Sequence, residues 1–418
     1  MSALVEMGLQ QLGYETFICS VHNFQRTLRW WKPHVVITQT AGSAHQAREI
    51  LPGALVVFLD AEGYQPEYNS WATFWEKNQP YYDALDLILA WGPILGDEVR
   101  RLMPTSDVSK LHVVSSPKFD LLEHMRKSAP PISARNSIGI ITRYPSINNH
   151  EGVPAIRGLH VKSNLDSTIN SCLAYHAQHT IISRILRETD FSISIRPHPL
   201  EDISSYHKYV IPSFGKEYSD RLSIDDSLDI SEWIIKQRAL VSPTSTAYVE
   251  AYLLNVPFIN VDRITDMYEY NAVFAIVCRQ WLESAYVPNT IDEAIELVRD
   301  APNLSIRRPV MDQQISDYCG LPCGRPSTLQ VLEAIHRLVV QHGTKLHREA
   351  GLPLALLGFI DDLLYRRLML RDRRHKNFHY NRNYHKLPRH ISATFQELQL
   401  EIRAIQAVAP STATSAAS

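Results

Sequence analysis

The stretch SISIRPHPLED, residues 192–202, ends an apolar alternation on an arginine, a histidine and two prolines. Ile193 and Ile195 alternate with serines, the pattern of a half-buried strand, so the RPHP residues fall at a strand's carboxyl end. Pro197 and Pro199 fix φ and remove two backbone donors, which leaves any binding there to side chains. Arg196 and His198 are the cation and titratable ring that would hold a phosphate, with Pro199 stiffening the loop beside it. The competing reading is a strand terminator with a solvent-exposed histidine.

Three further stretches carry groups of the same kind. ALVSPTSTAYVEAYLLNVPFINV (239–261) runs from an apolar strand through Ser242, Thr244, Ser245 and Thr246 into a helix. Hydroxyls and free amides at a helix start suit an anion, whereas plain N-capping needs only one of the four. Glu250 follows Thr246 by one helical turn, placed to accept from ribose hydroxyls or to stand solvated. ALVVFLDAEGYQP (54–66) ends a buried strand on Asp60, Glu62 and Gly63. A carboxylate without a paired cation in a closed cleft has a raised pKa and suits removal of a hydroxyl proton. The plainer role is a strand-end acid capping the next turn, and Asp60 reads as structural. IGIITRYPSINNH (138–150) places Thr142 and Arg143 at another strand end. Arg143 could grip a carboxylate or phosphate bidentately, or join a surface ion pair. Asp225 and Asp226 in RLSIDDSLDI read as caps of the following helix.

These groups need a scaffold that brings distant strand ends together. Strand-length apolar runs alternate with helix-length segments: YETFIC, HVVITQT, ALVVFLD, LDLILAW and KLHVVSS, then SIGIITRY, FSISIRP, RLSID, ALVSPT and PFINV. Helices are expected between them, among them SAHQAREIL with Ser43 as N-cap, TIDEAIELVRDA and STLQVLEAIHRLVVQ. This is the rhythm of parallel sheets covered on both faces. RKSAPPISARNS (126–137) interrupts it as a linker. The expected organisation is a first Rossmann-like domain over 1–130, a second over 131–345, and a basic helical tail with a disordered end over 346–418. Ligands in such sheets sit outside the carboxyl ends of strands. The chain opens on a helix-like segment where such a domain normally starts with a strand, so either the first strand is missing or this start is internal.

Composition excludes other classes. At 418 residues, with 45% hydrophobic and 21% charged residues, the chain suits two ordinary soluble domains. A formal net charge of −2 argues against bulk nucleic-acid binding. The five cysteines, Cys19, Cys172, Cys278, Cys319 and Cys323, make no disulfide framework or zinc knuckle, which points to a reducing cytosol. No run approaches the roughly 18 apolar residues of a membrane span. Residues 366–390 hold nine Arg/Lys and one Asp; beside the apolar GLPLALLGFI they read as a solvated face or as a peripheral contact, over 352–390, with an anionic inner membrane. His375, His379, His385 and His390 lack chelating spacing.

RPHP paired with SPTSTAYVE resembles the HP and Ser/Thr motifs of two-domain GT-B glycosyltransferases that use CMP-activated acidic sugars, the bacterial sialyltransferases and Kdo transferases. SLDISEWIIKQRALVSPTSTAYVEAYLLNVPFINVD resembles CDP-glycerol glycerophosphotransferases, while LILAWGPILGDEVRRL and HVVSSPKFDLL are similar to bacterial surface-carbohydrate biosynthesis proteins. The resemblance covers most of residues 50–265. It implies two doubly wound domains facing a cleft and an enzyme moving a sugar from a nucleotide donor, a CMP-linked ulosonic acid such as Kdo, to a glycan acceptor. His198 and the hydroxyls would hold the donor phosphate. Sialyltransferases carry their base in an acid-acid-Gly motif; here Ala61 replaces the first acid, leaving Glu62 for that role. The alternatives are polyol-phosphate transfer from a CDP donor and an inactive scaffold that binds a glycan or partner. No Asp-x-Asp pair calls for a divalent ion, so a metal-independent transferase without a resident cofactor is expected.

Overall fold

The computed structural model describes residues 2–19, 24–59, 83–103, 105–150, 152, 162–227, 229–265, 285–304, 306, 309–321, 324–343 and 389–407. They form two α/β units, each built on a parallel sheet. The expected α/β class with two Rossmann-like sheets is what these residues adopt.

In the first unit β1 (Val35–Thr38), β2 (Leu55–Leu59), β3 (Leu87–Trp91) and β4 (Leu111–Val114) lie side by side in sequence order. Both central strands are buried along their full length, which is why they read as unbroken apolar runs. Because each crossover steps the same way, helices Ala41–Ile50 and Gly92–Leu102 lie on one face, where Ala44, Ala47, Leu95 and Val99 pack with Leu28. Helices Ser2–Gln11, Ser327–His342 and Arg389–Ala407 bury Leu4, Leu332, Ile335 and Ile402 against the other.

Three expectations change here. Residues 14–19 form no strand; Phe17 packs edge-on against Trp31, and Tyr14 shares a 2.6 Å hydrogen bond with His336. The helix after β1 is capped by Thr40, not Ser43: Thr40 Oγ1 accepts from Ser43 N–H at 3.2 Å. The chain leaves this unit after residue 124, near the expected linker, but returns at 314 instead of remaining in the second unit to 345. The reason is the apolar stripe Leu329, Leu332, Ile335 and Leu338, which needs the first sheet to cover it. Helix Arg389–Ala407 joins the same core, so this part of the expected tail belongs to the fold.

In the second unit β5 (Ser137–Ile141), β6 (Ser192–Arg196), β7 (Leu222–Ile224), β8 (Gln237–Ser242) and β9 (Phe258–Asn260) run parallel in the order β7-β6-β5-β8-β9. The chain starts in the middle, winds out through β6 and β7, then crosses back to β8 and β9. Strand order therefore reverses between β5 and β8, which opens a crevice outside their carboxyl ends. Ile138 and Ile140 face helices Lys162–Glu188 and Ile291–Arg299, whereas Gly139 between them faces Trp233 of helix Ile230–Ile234. The Pro-rich 126–137 stretch is anchored: buried Arg135 donates to Pro130 O at 2.8 Å and Gln237 O at 3.0 Å.

Among the described residues no helix is long and apolar enough to cross a membrane, and no cluster of His, Cys, Asp or Glu could hold a metal ion. Cys19 is half-buried, Cys172 exposed and Cys319 buried. Cys278, Cys323, residues 352–388 and the histidines at 375, 379 and 385 lie outside the described residues, and the side chain of His390 is likewise not described.

Candidate functional site

The reversal between β5 and β8 gathers three chain segments on one edge of the second sheet. Thr142 and Arg143 leave β5, the Pro197–Glu201 loop leaves β6, and Ser242–Thr246 leave β8. Register fixes the first two: Ile141 pairs with Arg196, and Thr142 N–H still donates to Arg196 O at 3.2 Å. The third is tied in by Arg143, whose Nη1 donates to Thr244 O at 3.2 Å.

His198 lies within the field of the same guanidinium. Burial first, and the Arg143 charge second, hold its ring below the usual histidine pKa. Leu200 N–H donates to Nδ1 at 3.2 Å, which leaves the proton of the neutral ring on Nε2. The edge thus offers one permanent cation and one neutral ring N–H donor. A phosphate needs both kinds of group: charge to offset its own, and directed donors for its oxygens.

The hydroxyls divide into two sets. Thr142 Oγ1 donates to both oxygens of Glu201, at 3.2 and 3.1 Å. Thr244 donates its hydroxyl to Asp262 and its N–H to the same carboxylate at 3.1 Å. Asn260 Nδ2 holds Asp262 Oδ2 at 3.1 Å. Ser242 is fully buried and bonds Pro243 O at 2.7 Å. These three hydroxyls build the loops. Ser245 is half-buried and accepts from Ala247 N–H at 3.3 Å, while Thr246 is exposed at the helix start. Glu250 is half-buried within helix Ala247–Leu253.

Arg196 is committed elsewhere. It pairs with Asp225, donates to Ser227 O at 2.7 Å and lies 5.8 Å from the Trp233 ring centroid. This ion pair joins the end of β6 to the loop after β7. Asp225 therefore does not cap the next helix; Asp229 does, accepting from Ser231 N–H at 2.8 Å. Asp226 is exposed, and Pro199 is exposed on the loop after His198. Asp60, Glu62 and Gly63 lie outside the described residues.

Glu201 carries no motif that singles it out in the sequence. Only 1% exposed, it accepts from Tyr144 N–H at 2.7 Å, from His198 N–H at 3.3 Å, from Thr142 and from Tyr206. Burial raises its pKa, and the hydrogen bonds, that from Tyr206 foremost, pull the other way. Tyr206 arrives on a π-helical turn, Tyr206–Val210. The available signal was the doubled acid in PHPLED: Asp202 caps the helical turn after it, accepting from Ser204 N–H at 3.0 Å, so its neighbour needed another role.

No family model matches the chain, and no curated protein matches it in sequence. Solved structures do. A UDP-GlcNAc 2-epimerase from Methanocaldococcus jannaschii, in complex with UDP-GlcNAc and UDP, is 13% identical over 81% of this chain and 82% of its own, with a TM-score of 0.44. A variant of the wall teichoic acid polymerase TagF is 14% identical over 74% and 73%, at 0.43. An enzyme described as a putative UDP-N-acetylglucosamine 2-epimerase, from Listeria monocytogenes, is 12% identical over 84% and 82%, at 0.44. None of them assigns a residue of this chain.

Proposed function

We propose that the chain is a GT-B-type transferase of surface-glycan assembly that takes a nucleotide-activated donor and holds the donor phosphate at the carboxyl edge of the second sheet. The observation that carries this reading is the Arg143 guanidinium, 3.2 Å from Thr244 O and electrostatically coupled to His198. It draws the ends of β5, β6 and β8 onto one point at the strand-order reversal, where nucleotide phosphates bind in sheets of this class. Arg143 and the Nε2–H of His198 meet the phosphate, with the hydroxyls of half-buried Ser245 and exposed Thr246 beside them. Glu250, one turn into the helix, takes the ribose.

In transfer, the bond from sugar carbon to phosphate oxygen breaks and negative charge grows on the departing phosphate. Arg143 and His198 are fixed in advance to receive that charge, so little reorganisation is left for the reacting state. Glu62 is the base in this reading, taking the acceptor hydroxyl's proton. The motif resemblance favours a CMP-linked ulosonic acid such as Kdo as donor, while the same motifs serve a CDP-linked polyol phosphate.

A thermal-shift panel of CMP, CDP, UDP and GDP tests the proposal. A ligand at a hundred times its dissociation constant stabilises by about 2.7 kcal/mol. Cytidine nucleotides are expected to raise the midpoint most. Transfer assays with CMP-Kdo and CDP-glycerol then separate the two donors, and transfer that persists in EDTA is the expected result. No shift with any nucleotide would reduce the protein to a binding scaffold.

A further inference from the structure

We infer that Glu201 is the positioning residue of this anion site, a single buried carboxylate that sets the spacing between Arg143 and His198. The inference rests on the phosphate reading and adds what holds its two main donors in place.

Arg143 is straddled by residues fixed to Glu201. On one side Thr142 donates its hydroxyl, and on the other Tyr144 donates its N–H at 2.7 Å. The second donor hangs from the same group. His198 N–H reaches Oε1 at 3.3 Å, and Glu201 N–H returns a bond to His198 O at 2.8 Å. The ring is steered by Leu200 N–H, the residue immediately before Glu201. Tyr206 closes the arrangement from behind, donating to Glu201 with its oxygen 2.9 Å from Thr142 Oγ1. Two strand ends, joined also by ladder bonds and farther out by Asp202 N–H to Asn148 O at 3.1 Å and His150 N–H to Leu200 O at 3.0 Å, thereby share one buried side-chain support, 1% exposed.

Reach and acceptor geometry make this possible. The two N–H donors are fixed by the backbone and need an oxygen at that spot. The hydroxyls of Thr142 and Tyr206 rotate, so they can accept from an amide as readily as donate to a carboxylate. Glutamine at 201 can therefore keep Oε1 toward the backbone and turn its NH2 to the hydroxyls. Aspartate keeps the charge but is a methylene short of bridging both strand ends. Alanine supplies nothing.

The test is isothermal titration of the full-length protein with CMP and with CDP, each variant first checked for a cooperative thermal transition. R143A and H198A are expected to weaken binding about tenfold or more each, the loss of one charge-assisted or buried hydrogen bond. E201D and E201A are expected to weaken it by a similar factor, and E201Q to stay within about threefold of wild type. In an R143A/H198A background, E201A should bring little further loss, because Glu201 acts only through those two side chains. Irreversibly misfolded molecules would lower the number of binding sites and leave the Kd of the rest unchanged, and a thermal midpoint well above the titration temperature rules out a Kd weakened by reversible unfolding. If E201A fails to fold, E201D and E201Q decide. Weak binding by E201Q with normal binding by E201D would mean that charge, not reach, matters, and would overturn the inference. So would normal binding by all three alongside loss in R143A. Unchanged binding in both R143A and H198A would instead remove the phosphate reading itself.

Discussion

His198 and Glu201 are three residues apart on one loop, yet burial moves their proton equilibria in opposite directions. The buried ring resists protonation, and Arg143 adds to that resistance. Below the usual histidine value of 6.5, the unfolded chain takes up a proton that the native site refuses, so stability is lost on acidification. His112, His179 and His336 share this direction, so a single-site comparison is needed. Wild type is expected to lose more stability than H198N between about pH 7.5 and about pH 5.5, measured by urea titration at each pH. Equal losses would mean that the ring is not held neutral. Glu201 has the reverse sign. Its pKa is raised above the usual 4.5, so its contribution is full below that value and declines as pH rises through the folded pKa. The stability of wild type relative to E201Q should accordingly fall as pH rises from about 4.5 toward neutrality. The same urea titrations check it, and a flat difference would contradict a raised value. Which side chains would gather was partly legible in advance. Arg143, His198 and the 242–246 hydroxyls all stand at strand ends that the apolar runs announce. What could not be read was the choice among them. Arg196 and Thr244 look as suitable for a phosphate as Arg143 and Ser245, but their partners, Asp225 and Asp262, come from other strands. Sequence spacing carries no information about that pairing.

At the scale of elements, the second sheet depends on small residues and caps at its crowded points. Gly139 sits in the central strand β5, where the added methyl of alanine would come within 2.6 Å of Leu240 Cδ2 and 2.8 Å of the Trp233 ring. Trp233 must lie there because its Nε1 donates to Ser194 Oγ at 2.8 Å across the same face. G139A is therefore expected to lower stability by about 1–3 kcal/mol, the usual cost of overpacking. Chemical denaturation followed by tryptophan fluorescence measures it, and a neutral effect would mean that Trp233 has room to move. Helix Ile291–Arg299 shows the opposite case, a cap built from adjacent residues. Thr290 accepts from Glu293 N–H at 3.2 Å, while Glu293 accepts in return from Asn289 N–H at 2.7 Å. T290A should cost about 1 kcal/mol in the same assay. Local signals of this kind found nine of the ten expected strands. They failed at residues 14–19, where an aromatic-rich run packs on Trp31 and His336 and pairs with no strand. Strand propensity is satisfied by a packed surface as well as by a ladder.

At the scale of the molecule, the two units differ in how the chain builds them. Among the described residues the main core cluster of the second comes from one continuous segment, with its buried apolar residues between Ile138 and Ala301. The first is discontinuous. One face of its sheet is closed only when the chain returns with Leu329, Leu332, Ile335, Ile391, Phe395 and Ile402. The return is locked by backbone contact. Gly320, at φ +67°, lies so close to β4 that an added methyl would stand 2.9 Å from Val114 O and 3.2 Å from the Cα of Gly92. Gly92, itself at φ +68°, would meet the backbone of Tyr318 at 2.6 Å. No other residue type fits either place without moving main chain. Patterns along the sequence show each apolar stripe but not which sheet it will cover, which is why a boundary near 345 looked natural. The consequence is an asymmetry between fragments. A 125–313 fragment keeps its whole core and should unfold cooperatively and retain the nucleotide-dependent thermal shift of the intact protein. A 1–124 fragment, with one sheet face covered by helix Ser2–Gln11 alone, should lack a cooperative transition and bind a hydrophobic dye. Circular dichroism melts and dye fluorescence on the two fragments compare them directly. Cooperative folding of 1–124 alone would show that helices Ser327–His342 and Arg389–Ala407 decorate that sheet rather than complete it.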